Sequence, residues 1–224
     1  LTALLQQYAT DHAGISSVAL VELSGDHRRA VLNGDNVLVS ASTYKLFVAY
    51  STLVRIENGK WNWTDKILDD GRDLAACFSD MIKYSSNDCA EAMGKKIGYS
   101  VIDGEIHTIG CTNSSIVGKN GYAVTSANDL ALFLAQLQTG QMLTQQTSRD
   151  TLINAMKQNI YRSGIPSGVS YEVADKVGFI DDVLNDAAIV YSPNGPYVLV
   201  IMTKGSSWAT IADLANKVET LREQ

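Results

Sequence analysis

Near the C-terminus three apolar runs follow one another: EVADKVGFI (Glu172–Ile180), LNDAAIVY (Leu184–Tyr191) and PYVLVIMT (Pro196–Thr203). Each has strand length, is rich in Val, Ile and Tyr, and ends at a chain reversal. Asp181-Asp182 makes the first reversal and Pro193-Asn194-Gly195 the second. Working outward, Trp208–Arg222 has helical spacing in Ile211, Leu214, Val218 and Leu221. At the opposite end, Thr2–Thr10 reads as a short amphipathic helix. There Ser16–Leu23 (SSVALVEL), a Gly25–Asp26 turn and Arg28–Asn33 read as a hairpin. The middle differs, because helical patterns dominate from Lys45 to about Lys157. Ser126 with Asp129 resembles a capping box, and Leu130, Phe133, Leu134 and Leu137 follow on one face. The prediction is an α/β fold of one antiparallel sheet built from both termini, with an inserted helical lobe. All of 1–224 forms one domain, with an α/β lobe of about 1–41 and 158–224 and a helical lobe of about 42–157. The cleft between the lobes is the default ligand site.

Composition narrows the function classes. A formal net charge of -6 over 224 residues argues against nucleic acid and against an anionic membrane surface as partner. No apolar run is long enough to span a membrane. Leu1 is not a natural start, so trimming or processing upstream is expected. Cys77, Cys89 and Cys111 lack the pair spacing of a zinc site, and one disulfide plus a free thiol or three buried thiols both fit. His12, His27 and His107 are scattered, so no metal ligand set is expected.

Three motifs carry chemistry. Ser42-Thr43-Tyr44-Lys45 is S-x-x-K, which on a helix puts Ser Oγ and Lys Nζ one turn apart on the same face. A serine hydroxyl attacks only when a base takes its proton, and a partly buried Lys can be that base. Alone, the motif is equally a capping serine and a surface lysine. Ser85-Ser86-Asn87 is S-x-N, which alone reads as a polar helix–helix turn. Lys176-Val177-Gly178 puts a Lys on a strand beside a Gly that admits close backbone approach.

Taken in order, the triple resembles that of the penicillin-recognising serine hydrolases, and the chain is most similar to the class A β-lactamase group. The resemblance covers nearly the whole chain and implies a two-lobed fold of the β-lactamase/transpeptidase kind. By it, Ser42 is acylated, Lys45 activates it, and Ser85 relays a proton to the leaving nitrogen. Asn87 holds the substrate amide and Lys45, while Lys176 supplies positive charge for a substrate carboxylate and tunes Ser85, with Gly178 beside it on the strand. The backbone N–H groups of Ser42 and Phe179 form the oxyanion hole, where one donor is typically worth about 3 kcal/mol. The resemblance also implies no cofactor, a monomer, a β-lactam or peptidoglycan stem peptide as small-molecule ligand, and work outside the cytoplasm, secreted or attached at the cell surface.

Two departures qualify it. Class A β-lactamases use a loop Glu for deacylation, yet Cys111–Val124, ahead of the helix starting near Ser126, contains no Asp or Glu. Glu105, the nearest preceding acid, reads as helical. Where the family usually places Thr or Ser to bind the substrate carboxylate, this chain has Val177 and Phe179. Three readings stay open: a β-lactamase-like hydrolase acylated by β-lactams or D-Ala-D-Ala-type peptides that deacylates slowly, a cell-wall peptidase, esterase or amidase on the same scaffold, and a non-catalytic binding protein.

Overall fold

A computed structural model describes residues 1–118 and 121–223. Helix α1 (Thr2–Asp11) leads into β1 (Ile15–Glu22), β2 (Arg29–Leu32) and β3 (Leu38–Val39). A 3-10 turn at Ala41–Tyr44 runs directly into α2 (Lys45–Glu57). Then come α3 (Leu74–Lys83), α4 (Asn87–Ile97), α5 (Tyr99–Thr108), β4 (Val124–Thr125), α6 (Ala127–Thr139), α7 (Gln146–Lys157) and the short α8 (Ile165–Gly168). The chain closes with β5 (Val173–Ile180), β6 (Val183–Val190), β7 (Tyr197–Lys204) and α9 (Trp208–Arg222). The five-stranded sheet has the order β2-β1-β7-β6-β5, and every pairing in it is antiparallel. The expected architecture is therefore the observed one, with first and last strands joined at the centre through β1 and β7.

The apolar runs are nearly continuous because the sheet is covered on both faces. Along β7 the side chains alternate. Val198, Val200 and Met202 face a core shared with α2 and α6, while Tyr197, Leu199 and Ile201 face Leu5 and Tyr8 of α1 and Ile211, Leu214 and Val218 of α9. Helix α2 is buried on every side from Lys45 to Leu53, so it is the axis of the helical layer and not an amphipathic surface helix. Phe47 and Tyr50 both meet the edge of Phe133 on α6. Ser126 caps α6 by accepting from the Asp129 N–H, as the sequence suggested.

Two features escaped the sequence. A two-stranded ribbon pairs β3 with β4, and the Ser40 N–H donates to Ala123 O beside it. Four residues of strand in two pieces fall below any periodicity signal. The second is the cysteine pairing: of the two states left open, one disulfide with a free thiol is the one found, joining Cys77 on α3 to Cys89 on α4 and leaving Cys111 buried and free.

Candidate active site

The catalytic candidates converge where the β5 end of the sheet meets the start of α2. Ala41 takes a left-handed φ of 46°, and the 3-10 turn after it lifts Ser42 half out of the core. One turn on, Lys45 is completely buried. Its Nζ lies 3.0 Å from Ser42 Oγ, 2.6 Å from Ser85 O, 3.2 Å from Ser85 Oγ and 2.6 Å from Asn87 Oδ1. No carboxylate is among these partners. Burial without a counter-ion disfavours the ammonium and lowers Lys45 to about 8. A neutral amine there keeps two hydrogens for the two 2.6 Å acceptors, Ser85 O and Asn87 Oδ1. Its lone pair is then left toward Ser42.

Ser85 sits in the turn between α3 and α4 with a left-handed φ of 57°, a conformation that costs a non-glycine residue of order 1 kcal/mol or more. Three constraints hold it. Ser86 accepts from the Cys89 N–H and caps α4, the Ser86 N–H donates to Asp80 O, and the Cys77–Cys89 disulfide closes a loop around the whole turn. Ser85 Oγ thereby stands between two lysines, 3.2 Å from Lys45 Nζ and 3.0 Å from Lys176 Nζ.

Lys176 is also completely buried and donates to Val177 O. Desolvation first, then the charge of Lys45, pull it down to about 7. Beneath it, Arg162 bonds Asp175 and donates to Val173 O, and Asn159 donates to Asp175. Asp186 accepts from the Ile165 N–H, and burial raises it to about 7. Asp175, buried beside Asp186, is raised as well. The nearby carboxyls act to raise Lys176, but burial and the charge of Lys45 outweigh them.

Gly178 has a specific job. A Cβ there would lie 2.7 Å from Ser40 O and 2.9 Å from the backbone N of both Ser42 and Thr43. Only glycine lets β5 lie this close to the turn that carries Ser42. From β6, Asn185 clamps the same turn by donating to Val39 O and Ser40 O. The next residue, Phe179, is exposed at the end of the edge strand.

All seven residues singled out in the sequence, Ser42, Lys45, Ser85, Asn87, Lys176, Gly178 and Phe179, are thus brought together. Ser42 and Asn87 open onto a cleft of about 440 Å³ that Tyr44, Glu91, Tyr99 and Tyr122 also line. Sequence reading passed over these four, although Glu91 is one helical turn beyond Asn87 and so was legible from spacing. Among the described residues lining the cleft, Glu91 is the only carboxylate. It pairs with Lys95 at 2.9 Å, which lowers its affinity for a proton. Glu105 does not reach the cleft, being tied to Arg55 on α2. The segment expected to carry a deacylating acid is itself held by acids outside it. Asp129 accepts from the Asn113 N–H and Ser114 Oγ, and Asp103 from Ser115 Oγ and the Ile116 N–H. Lys119 and Asn120 of that segment lie outside the described residues. Among the described residues no cluster of His, Cys, Asp and Glu could hold a metal, and no helix is long and apolar enough to cross a membrane.

A family model described as the beta-lactamase enzyme family matches residues 1–222. No curated protein matches the chain. Among solved structures, PBP-A superposes with a TM-score of 0.88 at 22% identity, over 100% of this chain and 97% of that one. A beta-lactamase from Sphaerobacter thermophilus DSM 20745 gives 0.88 at 17% identity, over 98% and 97%. An ancestral class A beta-lactamase gives 0.86 at 22% identity, over 98% and 99%. At such identities these likenesses are of fold.

Proposed function

The chain belongs to the beta-lactamase enzyme family, and from that premise we propose that it is a serine acyl-transfer hydrolase with Ser42 as nucleophile and Lys45 as base. The observation that carries the reading is the contact set of one atom, Lys45 Nζ, which touches Ser42 Oγ, Ser85 Oγ and Asn87 Oδ1 within 3.2 Å. Neutral Lys45 takes the Ser42 hydroxyl proton as Oγ attacks the substrate carbonyl carbon. The backbone N–H groups of Ser42 and Phe179 stabilise the resulting oxyanion. Collapse breaks the bond to the leaving nitrogen or oxygen. That atom receives its proton from Ser85 Oγ, which recovers one from Lys45. Lys176, buried and hydrogen-bonded to Ser85, acts on the reaction through that hydroxyl.

The substrates proposed are β-lactams or D-Ala-D-Ala-type peptides, with acylation competent and hydrolysis of the acyl-enzyme slow. Hydrolysis needs a placed water and a base. The cleft offers one carboxylate, Glu91, and Lys95 engages it. A second reading, a peptidase or esterase in which Lys45 serves both steps, is favoured by its lowered proton affinity. Action outside the cytoplasm is part of the proposal, and the Cys77–Cys89 disulfide supports it, since such bonds persist in oxidising compartments.

Incubation with a fluorescent penicillin, followed by intact mass, tests the reading. A one-to-one adduct on Ser42, absent in Ser42→Ala, is expected, together with slow hydrolysis of a chromogenic cephalosporin. An adduct that persists in Ser42→Ala would overturn the assignment.

A further inference from the structure

A second cavity of about 290 Å³ adjoins the catalytic cleft across Phe179 and Ile180, which line both spaces. Its wall is largely apolar and aromatic. Tyr161 meets Phe179 edge-on at 5.3 Å, Phe179 meets Trp208 edge-on at 6.3 Å, and Ile160, Val177 and Leu184 extend this surface, while Arg162, Ser163 and Asp181 supply the polar part of the lining. Ile160 is 56% exposed and Phe179 44%, so this apolar surface stands open to a ligand. Neither nearby cation is free. Arg162 is turned to Asp175 and Val173 O, and Lys176 is buried against Ser85 and Val177 O. Two charged residues line the cavity: Arg162, its two terminal nitrogens already bonded to Asp175 and Val173 O, and Asp181, exposed on the β5–β6 turn.

The cavity's position identifies the part of the substrate it meets. Ser85, the hydroxyl facing the departing group, is bonded to Lys176, whose Nζ bonds the carbonyl of Val177, and Val177 lines the cavity. A leaving group that takes its proton from Ser85 therefore lies on the β5 side of the cleft, the strand that carries Val177 and Phe179. A carboxylate placed in the cavity would lose water, gain no free cation and face Asp181, which is unfavourable. An aromatic or branched apolar group would replace water against three rings.

We infer that the cavity bounded by Tyr161, Phe179, Leu184 and Trp208 is the leaving-group subsite, and that it takes an uncharged apolar or aromatic group in preference to a carboxylate. The inference rests on the acyl-transfer reading for its direction, but the cavity's preference can be measured without it.

Two aryl esters with one N-acylglycine acyl group provide the test. One releases 3-hydroxybenzoate and the other its methyl ester, so size is nearly matched and charge is not. The neutral ester is expected to acylate the full-length chain with a kcat/KM about tenfold or more above the anionic one. Trp208→Ala should bring the ratio of the two kcat/KM values toward one, by lowering that of the neutral ester more than that of the anionic one. Separately, equilibrium titration of the two free phenols, followed by NMR, is expected to show the neutral phenol binding about tenfold more tightly, an advantage Trp208→Ala removes. Equal or tighter binding of the anion, no measurable binding of either phenol, or a Trp208→Ala variant without effect would overturn the subsite. Phenol selectivity without acylation of Ser42 by either ester would instead keep the subsite and sink the acyl-transfer reading.

Discussion

Two residues of the cleft make opposite predictions. Lys45 is lowered to about 8 because burial penalises its ammonium. A base works in its unprotonated form, and that fraction grows as pH rises through the folded value. Acylation by a neutral substrate should therefore rise about tenfold per unit below pH 8 and level off above it, and Lys45→Ala should flatten the profile at a rate lower by about a hundredfold or more. Stopped-flow acylation rates from pH 5.5 to 9.5 check this; a profile that falls with pH would remove Lys45 from the role. Glu91 is the contrasting case. Its pairing with Lys95 makes it a weaker base than a free carboxylate. Glu91→Gln should leave the deacylation rate of a penicilloyl adduct within about threefold of the parent, since positioned acid–base help is worth about a hundredfold or more. A loss of that size, followed by intact mass against time, would make Glu91 the missing base.

At the scale of elements, the turn between α3 and α4 is the part most dependent on a brace. Cys77 and Cys89 are separated by 12 residues, and closing a loop of that size contributes about 3 kcal/mol by constraining the unfolded chain. The bond also brackets Ser85 in its strained conformation. Replacing both cysteines by serine should lower the melting temperature by several degrees and slow acylation by about tenfold, because Ser85 and Asn87 lose their placement against Lys45. A lower melting temperature with an unchanged acylation rate would show the brace to be purely structural. The turn was legible as S-x-N, but the bond was not. Three cysteines allow three pairings, and only the approach of two helices, with Cα atoms 5.1 Å apart, selects one. The same holds for β3 and β4, which are strands only because each has the other.

Across the whole molecule, the ends of the chain are tied together. Glu22 at the end of β1 accepts from Arg28 across the hairpin and from Arg222 in the last turn of α9. The Arg28 hydrogen bonds and the Arg222 charge hold Glu22 down, from its ordinary 4.5 to about 2. The folded form thus binds the proton more weakly than the unfolded chain. The stabilisation is fully present above pH 4.5 and is lost as pH falls through that value toward 2, to a total of about 3 kcal/mol. Thermal unfolding from pH 6 to 3 should accordingly show a smaller acid-induced drop for Glu22→Gln than for the parent. The variant should also start about 5–10 °C lower at pH 6, because Arg222 is left buried with a weaker partner. Parallel acid profiles would mean that Glu22 carries no such linkage.

The sequence by itself determined the strand order's raw material, helices in the middle and apolar strands at both ends, because periodicity is a local property of the chain. It also determined the serine, lysine and asparagine of the cleft, because Ser42 and Lys45 are one turn apart and need only a helix to meet. Tertiary structure alone decided what those groups experience. Lys45 is lowered because α2 runs through the core without a carboxylate at its side, and Lys176 shares Ser85 because β5 crosses the start of α2 at Gly178. The cavity past Phe179 collects Tyr161, Leu184 and Trp208 from a loop, a strand and a helix. Its largely apolar character follows from the residues, but its place beside the Ser42 cleft follows from three long-range packings that no spacing along the chain encodes.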